Sequence, residues 1–193
     1  LWVLDTACAT AKKWQLEYDY YGTVAVNVSA VQMAEENFVS LVGMCLAKHE
    51  LEPKYIELEV TESMVLDNID AMLEKLNDIA AMGVSISIDD FGTGYSSFNY
   101  LKQLPANTLK LDMEFIKEIP ENEADMAVVD GMIVLAHNLG MKVVAEGVEA
   151  QDQYDFLAEH SCDLVQGYLI NKPLSEDEFI AEYARSAKEV GRV

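Results

Sequence analysis

The sequence predicts an α/β fold, a closed (β/α)8 barrel. Short strand-like runs alternate with helical patterns, as expected for βα units built around a parallel sheet. Within each run, apolar residues lie on one face, and small or polar residues lie on the other. Helices cover both faces of an open doubly wound sheet, so its strands would be apolar on both faces. A barrel with a polar lumen fits this pattern better.

Six segments have the composition and alternation of strands, namely residues 23–29, 55–62, 84–90, 108–112, 142–149 and 164–170. Helical patterns open the chain at residues 1–14 and separate the strands at 40–50, 68–83, 96–104, 124–140 and 151–160. Eight strands form a complete barrel. The sequence therefore predicts a single domain over residues 1–193 that lacks its N-terminal strands.

Polar side chains stand at or near the end of each strand-like segment. In a (β/α)8 barrel, the C-terminal ends of the strands meet at one mouth, where functional groups lie. The residues that we expect to converge there are Asn27, Glu59, Asp89, Lys110, Glu146 and Gln166.

Composition excludes several classes of partner. The 193 residues carry a formal net charge of −21 and no basic cluster, which argues against binding of DNA or RNA polymers and against contact with an anionic membrane. Three separated cysteines suggest neither a disulfide framework nor a zinc site. We expect a soluble, cytoplasmic domain whose surface acidity serves mainly solubility.

Two adjacent carboxylates, Asp89 and Asp90, end the third strand-like segment. Their repulsion needs a compensating cation. The other strand-end ligand candidates also offer oxygen, which favours magnesium, manganese or calcium over zinc. Two cations bridged by one carboxylate could support an in-line displacement at phosphorus. The oxygen ligands considered are Asn27, Glu59, Asp89, Asp90 and Glu146, with Glu149 as a further candidate.

Several residues have more than one interpretation. Lys110 could hold an attacking water, form a structural ion pair, or act as a base on a carbon acid as in enolase-type sites; Asp112 is expected on the same side of the strand. Glu62 could be a helix cap or support the site. The segment 91–97 could be an ordinary turn with Ser96 as the cap of the following helix. Alternatively, it could be a mobile loop that transmits to a partner whether the site is occupied. The three histidines fall on helical patterns and are interpreted as surface or packing residues.

Six motifs, in the order NVS, ELEVTES, DDFGTGYSS, LPANTLKLD, VVAEGVE and QGYLINKPL, resemble those of the EAL-domain family of cyclic di-GMP phosphodiesterases. The resemblance covers essentially the whole chain. It implies a modified TIM barrel that hydrolyses cyclic di-GMP to the linear dinucleotide pGpG with Mg²⁺ or Mn²⁺. An inactive cyclic di-GMP receptor of the same fold is the alternative.

The resemblance also implies roles for individual residues. Asn27, Glu59 and Asp89 would bind one metal ion, and Asp89 would bridge to a second ion bound by Asp90. Glu146 would be the general base or a ligand of the second ion, and Lys110 would orient the water. Glu62 would anchor the loop Phe91, Gly92, Thr93, Gly94, Tyr95, Ser96 and Ser97. The supporting or substrate-binding residues would be Asp112, Glu149, Gln166 and Pro173.

The resemblance further implies a homodimer coupled to catalysis through that loop, and sensory or cyclase domains upstream in a longer protein. Three positions depart from the usual family residues: Asn107 replaces an aspartate, Met113 a basic residue and Lys172 an arginine. We expect these departures to affect substrate affinity more than chemistry. The signature EAL glutamate would lie upstream of this sequence, so we expect weak or no activity from these residues alone.

Overall fold

The structure is a computed structural model that describes residues 1–67, 69–92 and 98–189. Within these residues, six strands form one sheet, and every neighbouring pair is parallel. The strands are β1 (Val24–Asn27), β2 (Ile56–Thr61), β3 (Ser85–Phe91), β4 (Thr108–Leu111), β5 (Lys142–Glu146) and β6 (Leu164–Gln166).

The strands follow one another in the sheet in the order of the sequence, from β1 to β6. A doubly wound sheet would reverse its strand order at a switch point, and this sheet does not. It curls into a half-barrel, as the sequence predicts for a TIM-like fold. All six C-terminal strand ends consequently lie at one edge.

Helices connect the strands, with a single 3₁₀ turn at Pro53–Tyr55. They are α1 (Trp2–Tyr18), α2 (Ala30–Ala34), α3 (Phe38–Lys48), α4 (Glu62–Asp67), α5 (Ile69–Ala81), α6 (Phe98–Leu101), α7 (Met113–Ile116), α8 (Glu123–Asn138), α9 (Gln151–Glu159) and α10 (Glu176–Glu189). In the described part of the chain, no helix is both long enough and apolar enough to cross a bilayer.

The alternation read from the sequence is confirmed by burial. Ile86 and Ile88 of β3 are almost completely buried on the face that packs against helices. On the lumen face, Ser87 and Lys110 are also buried, although both are polar. The apolar face supplies the hydrophobic core, and the polar face forms the wall of the site.

The predicted element boundaries differ from the observed ones where local backbone chemistry intervenes. Strand β5 ends at Glu146 because Gly147 adopts φ +71°, and a Cβ at that position would clash with Met113. The first strand was expected to reach Ser29, but Ser29 instead begins α2 as its N-cap and forms a capping box with Gln32. The predicted helical segments do not include α2, α4, α7 or α10.

Candidate active and metal site

Lys110 lies at the centre of the candidate site, on the lumen face of β4. Its side-chain nitrogen Nζ is 2.7 Å from Glu146 Oε1, 2.9 Å from Glu59 Oε1 and 3.1 Å from Asp89 Oδ1. The lysine is 5% exposed. Three strand ends, those of β2, β3 and β5, thus bring carboxylates to a single ammonium group, which sequence alternation predicted.

A β-bulge adds the fourth carboxylate. Between Ile88 and Phe91, β3 advances by three residues while its partner β4 advances by two. Asp90 takes the left-handed conformation within this bulge, with φ +55°. In a regular strand, Asp90 would face away from Asp89. The bulge instead lets carboxylate oxygens of Asp89, Asp90 and Glu146 lie within 4.8 Å of one another.

The site fits divalent cations. Three carboxylates contact one ammonium group, and the exposed carboxylate of Asp90 lies beside two of them, which leaves an excess of negative charge in a partly buried position. Asp89 Oδ1 lies near Lys110 but receives no hydrogen bond of acceptable geometry, although the atom is buried. The Lys110 ammonium at 3.1 Å offsets the charge of this oxygen without making a well-directed hydrogen bond, so the oxygen can still accept a further cation or donor. The all-oxygen donor set is the one preferred by magnesium, manganese and calcium.

The electrostatics of the cluster follow from burial and crowding. Burial opposes the charge on Lys110, but Glu146 and Glu59 outweigh that effect and raise the pKa of Lys110 above its ordinary value. A lysine held protonated in this way is poorly suited to act as a base on a carbon acid. Burial raises the pKa of Glu146. Lys110 lowers it, but the negative charges of Asp89 and Glu59 raise it further, and the net shift is upward.

Asp90 interacts electrostatically with Asp112, which directly follows β4. Burial raises the pKa of Asp90, and the negative charges of Asp89 and Asp112 raise it further. Asp112 is also the N-cap of α7, where its carboxylate accepts a hydrogen bond from Glu114 N at 2.7 Å. Asp112 therefore holds a fixed position beside Asp90.

Glu62 connects the site to the segment that follows β3. It is 2% exposed. Its carboxylate accepts hydrogen bonds from Gly92 N at 3.0 Å and from the Tyr100 hydroxyl at 2.9 Å. Glu62 is the first residue of α4, and both of these hydrogen bonds come from outside that helix. Phe91 is buried beside it, whereas Thr93, Gly94, Tyr95, Ser96 and Ser97 lie outside the described residues.

The remaining predicted residues lie at the rim. The strand register places Asn27 beside Glu59, and it places Gln166 beside Glu146. Asn27, Gln166, Glu149 and Pro173 are all exposed. The backbone of Glu149 is fixed, because its N–H donates to Gln153 Oε1 at 2.9 Å. None of these four contributes to the contacts around Lys110.

Sequence analysis missed three residues that organise the site. Tyr100 binds Glu62, and no local pattern signals that contact. Gln153 is buried and donates to Ile116 O, joining the loop after β5 to α7; its position three residues after Ala150 is a capping signal. Glu57 lies on the lumen face of β2 two residues before Glu59, and strand alternation alone could have identified it.

Asn107, which stands where the family commonly has an aspartate, makes structural contacts. Asn107 Oδ1 accepts a hydrogen bond from Ile86 N at 3.0 Å, and its backbone bonds both Ile86 and Lys142. These contacts lie at the N-terminal ends of the strands, opposite the mouth. None of these contacts supports an effect of Asn107 on substrate affinity. Met113 and Lys172 are both exposed.

Comparison with known proteins identifies the family. The family model described as EAL domain matches residues 1–173. Over 183 residues, the chain is 44% identical to the Pseudomonas aeruginosa bifunctional diguanylate cyclase/cyclic di-GMP phosphodiesterase MucR, covering 95% of this chain and 27% of MucR. It is 43% identical over 185 residues to the cyclic di-GMP phosphodiesterase NbdA of the same species, covering 94% of this chain and 24% of NbdA. The chain thus spans about a quarter of the length of these curated relatives.

Solved structures agree with the sequence comparison. The MucR phosphodiesterase in complex with c-di-GMP superposes with a TM-score of 0.88, covering 92% of this chain and 72% of that one. The manganese/c-di-GMP complex of Klebsiella pneumoniae BlrP1 is 28% identical, with a TM-score of 0.77, and the match covers 86% of this chain and 42% of that one. On the fold, the ordered motifs and these matches, the chain belongs to the EAL domain family.

Proposed function

We propose that this chain hydrolyses one phosphodiester bond of cyclic di-GMP to give pGpG, in a reaction that requires Mg²⁺ or Mn²⁺. The observation that carries the proposal is the convergence of Glu59, Asp89, Asp90 and Glu146 near Lys110 at the mouth of the half-barrel. The names of MucR and NbdA, and the c-di-GMP complexes of MucR and BlrP1, support the same substrate.

The ligand set proposed here is the one that the family resemblance implies, and the grouping of Asp89, Asp90 and Glu146 supports part of it. Asn27, Glu59 and Asp89 would hold one cation, and Asp89 with Asp90 would hold a second. When bound, the cations would polarise the phosphoryl oxygens and make a bound water more acidic. The carboxylate oxygens of Asp89, Asp90 and Glu146, which lie within 4.8 Å of one another, are the feature of this chain that supports the second of these sites.

The chain's own residues would then handle the proton and the water. Glu146 would accept the proton of the attacking water, a role suited to a buried carboxylate whose pKa is raised. Lys110 would stay protonated, orient that water and offset negative charge on the phosphate. At the rim, substrate contacts or support would come from Asp112, Glu149, Gln166 and Pro173.

The test is a turnover assay that follows pGpG by chromatography, with magnesium, manganese, calcium or chelator. The solved MucR chain extends beyond the matched part, since only 72% of it is covered. We would therefore assay the 193-residue chain alone and also preceded by the unmatched N-terminal part of the MucR phosphodiesterase. Product with magnesium or manganese, but not with chelator, is expected in at least the second form. Tight binding without product in either form would establish the receptor alternative, and neither binding nor product would overturn both.

The proposal also covers the oligomeric state of this chain and the domains that would accompany it in a longer protein. We propose a homodimer that is coupled to catalysis through the segment that begins at Phe91 and Gly92. A cavity of about 480 Å³ lies there, lined in part by Phe91, Gly92, Val128 and Gly131. The bifunctional name of MucR supports an additional cyclase or sensory domain upstream. We place the domain in the cytoplasm, where cyclic di-GMP would reach it.

A further inference from the structure

Gln153 is a buried polar residue of α9 whose side chain joins two separate segments of the chain. It is 7% exposed. Its Oε1 accepts hydrogen bonds from Glu149 N at 2.9 Å and from Ala150 N at 3.0 Å, and its Nε2 donates to Ile116 O at 3.0 Å. All three partners are backbone groups, so the side chain links the loop that follows β5 to the C-terminal end of α7. The proposed reaction assigns this residue no role.

The loop that follows β5 has little room to move. A Cβ at Gly147 would overlap the Met113 side chain at the start of α7. In the segment that follows β6, a Cβ at Gly167 would overlap the backbone of Val148. Val148 is completely buried, and its N–H donates to Gln166 O at 3.1 Å. The loop is therefore in close contact with both α7 and the segment that follows β6.

Helix α7 depends on such contacts for its position. It has four residues, Met113–Ile116, and a helix this short gains too few internal hydrogen bonds to be stable alone. Its N-cap, Asp112, acts electrostatically on Asp90. At the other end of α7, Ile116 is completely buried, and its carbonyl accepts the hydrogen bond from Gln153. The bond from Gln153 therefore helps to fix where Asp112 lies relative to Asp90.

Gln153 contacts the side of the site where the second cation is proposed. The grouping of Asp89, Asp90 and Glu146 is the part of the site that supports this ion. Asp112 acts on Asp90, and Glu146 is the last strand residue before the loop that Gln153 holds. The ligands proposed for the first cation lie instead on β1, β2 and β3. A loss of the Gln153 contacts should therefore affect the two ions unequally.

We propose that Gln153 is a positioning residue for the second cation. It holds Asp112 beside Asp90 through α7, and it holds the backbone of Glu149 in the loop that follows β5. Magnesium usually retains several bound waters, and carboxylates at these two positions can accept hydrogen bonds from them. Gln153 thus raises the affinity for the second cation without touching it. The inference rests on the proposed metal dependence and concerns one of its two ions.

The test is Mn²⁺ titration calorimetry on the 193-residue chain, with circular dichroism to establish that each variant is folded. Asp90→Asn identifies the second cation, because it removes a ligand proposed for that ion alone. Gln153→Met keeps the length of the side chain but loses its hydrogen bonds. It should weaken binding of the second cation about tenfold and of the first by less than about twofold. Gln151→Met, the same change at an exposed position of α9, is the matched control and should leave both affinities unchanged.

The outcomes separate this inference from the metal dependence on which it rests. If the unaltered chain binds no Mn²⁺, the metal dependence fails and the inference fails with it. If the chain binds one ion that Asp90→Asn does not affect, the second cation alone fails, and the inference again fails. If two ions bind but Gln153→Met weakens neither, or weakens both equally, Gln153 has only a structural role and the inference is overturned.

A second variant decides if Gln153→Met does not fold. In Gln153→Glu, the carboxylate still accepts from Glu149 N and Ala150 N, but the ionised group cannot donate to Ile116 O. The added charge acts on both ions, so the measure is the ratio of the second-cation affinity to the first-cation affinity. A lower ratio than in the unaltered chain supports the inference, and an unchanged or higher ratio refutes it.

Discussion

Replacing Glu62 by glutamine tests how strongly the segment after β3 is held. The carboxylate is buried and accepts from both Gly92 N and the Tyr100 hydroxyl. Glutamine has the same shape but only one accepting oxygen, so its amide nitrogen must face one of the two donors. One hydrogen bond is lost and a buried donor is left unsatisfied, which costs about 1.5–3 kcal/mol.

The assay is urea unfolding followed by circular dichroism. With a denaturant slope of about 2 kcal/mol per molar urea, the midpoint should fall by about 1 M. Tyr100→Phe removes one of the same bonds, so the double variant should lose less stability than the sum of the two single variants. Glu74→Gln on the exposed face of α5 controls for the charge change. A midpoint within about 0.2 M of the unaltered chain, or strictly additive losses, would refute the proposed anchoring by Glu62.

Three further predictions address chemistry, register and thiol reactivity. Glu146→Gln keeps the shape of the side chain but removes the carboxylate that would act as the base. The rate of pGpG formation should fall by about a hundredfold or more, while cyclic di-GMP binding changes little. A near-normal rate would exclude Glu146 as the base. Asn107→Ala should lower the free energy of unfolding in urea by about 1–3 kcal/mol, because Ile86 N loses its acceptor. Asn107→Asp keeps that acceptor, so it should change the free energy of unfolding by less than about 0.5 kcal/mol. Equal losses in the two variants would contradict the assigned contact. Burial raises the pKa of Cys8 and of Cys162 to about 11. At pH 8, both thiols should therefore react with iodoacetamide far more slowly in the native chain than in urea, and the native rates should rise toward pH 11. Fast labelling of the native chain, mapped by mass spectrometry, would disprove this.

Much of the site was accessible from the sequence because strand alternation is a local property. Side chains two residues apart share a face, so Glu59, Asp89 and Glu146 could be assigned to the lumen without any tertiary information. Sequential parallel strands then require their C-terminal ends to meet. The six strand positions, the barrel order and the meeting of these carboxylates at Lys110 all follow from that pattern.

Element ends were less predictable because single residues decide them. Gly147 ends β5 early through its positive φ, and Ser29 turns the end of β1 into the cap of α2. Both residue types also occur inside strands, so their presence alone does not fix a boundary. The five-residue α2 and the four-residue α7 are too short to show helical periodicity.

The sequence by itself determined the fold class, the family and a set of candidate oxygen ligands, because these depend on alternation and on ordered local motifs. Only the tertiary structure decided how the ligands are arranged. The bulge that turns Asp90 toward Asp89 depends on pairing with β4, since a strand alone has no register from which to deviate. The ion pairs of Lys110 and the hydrogen bonds of Glu62 likewise join residues that are distant in sequence, and side-chain packing selects their partners.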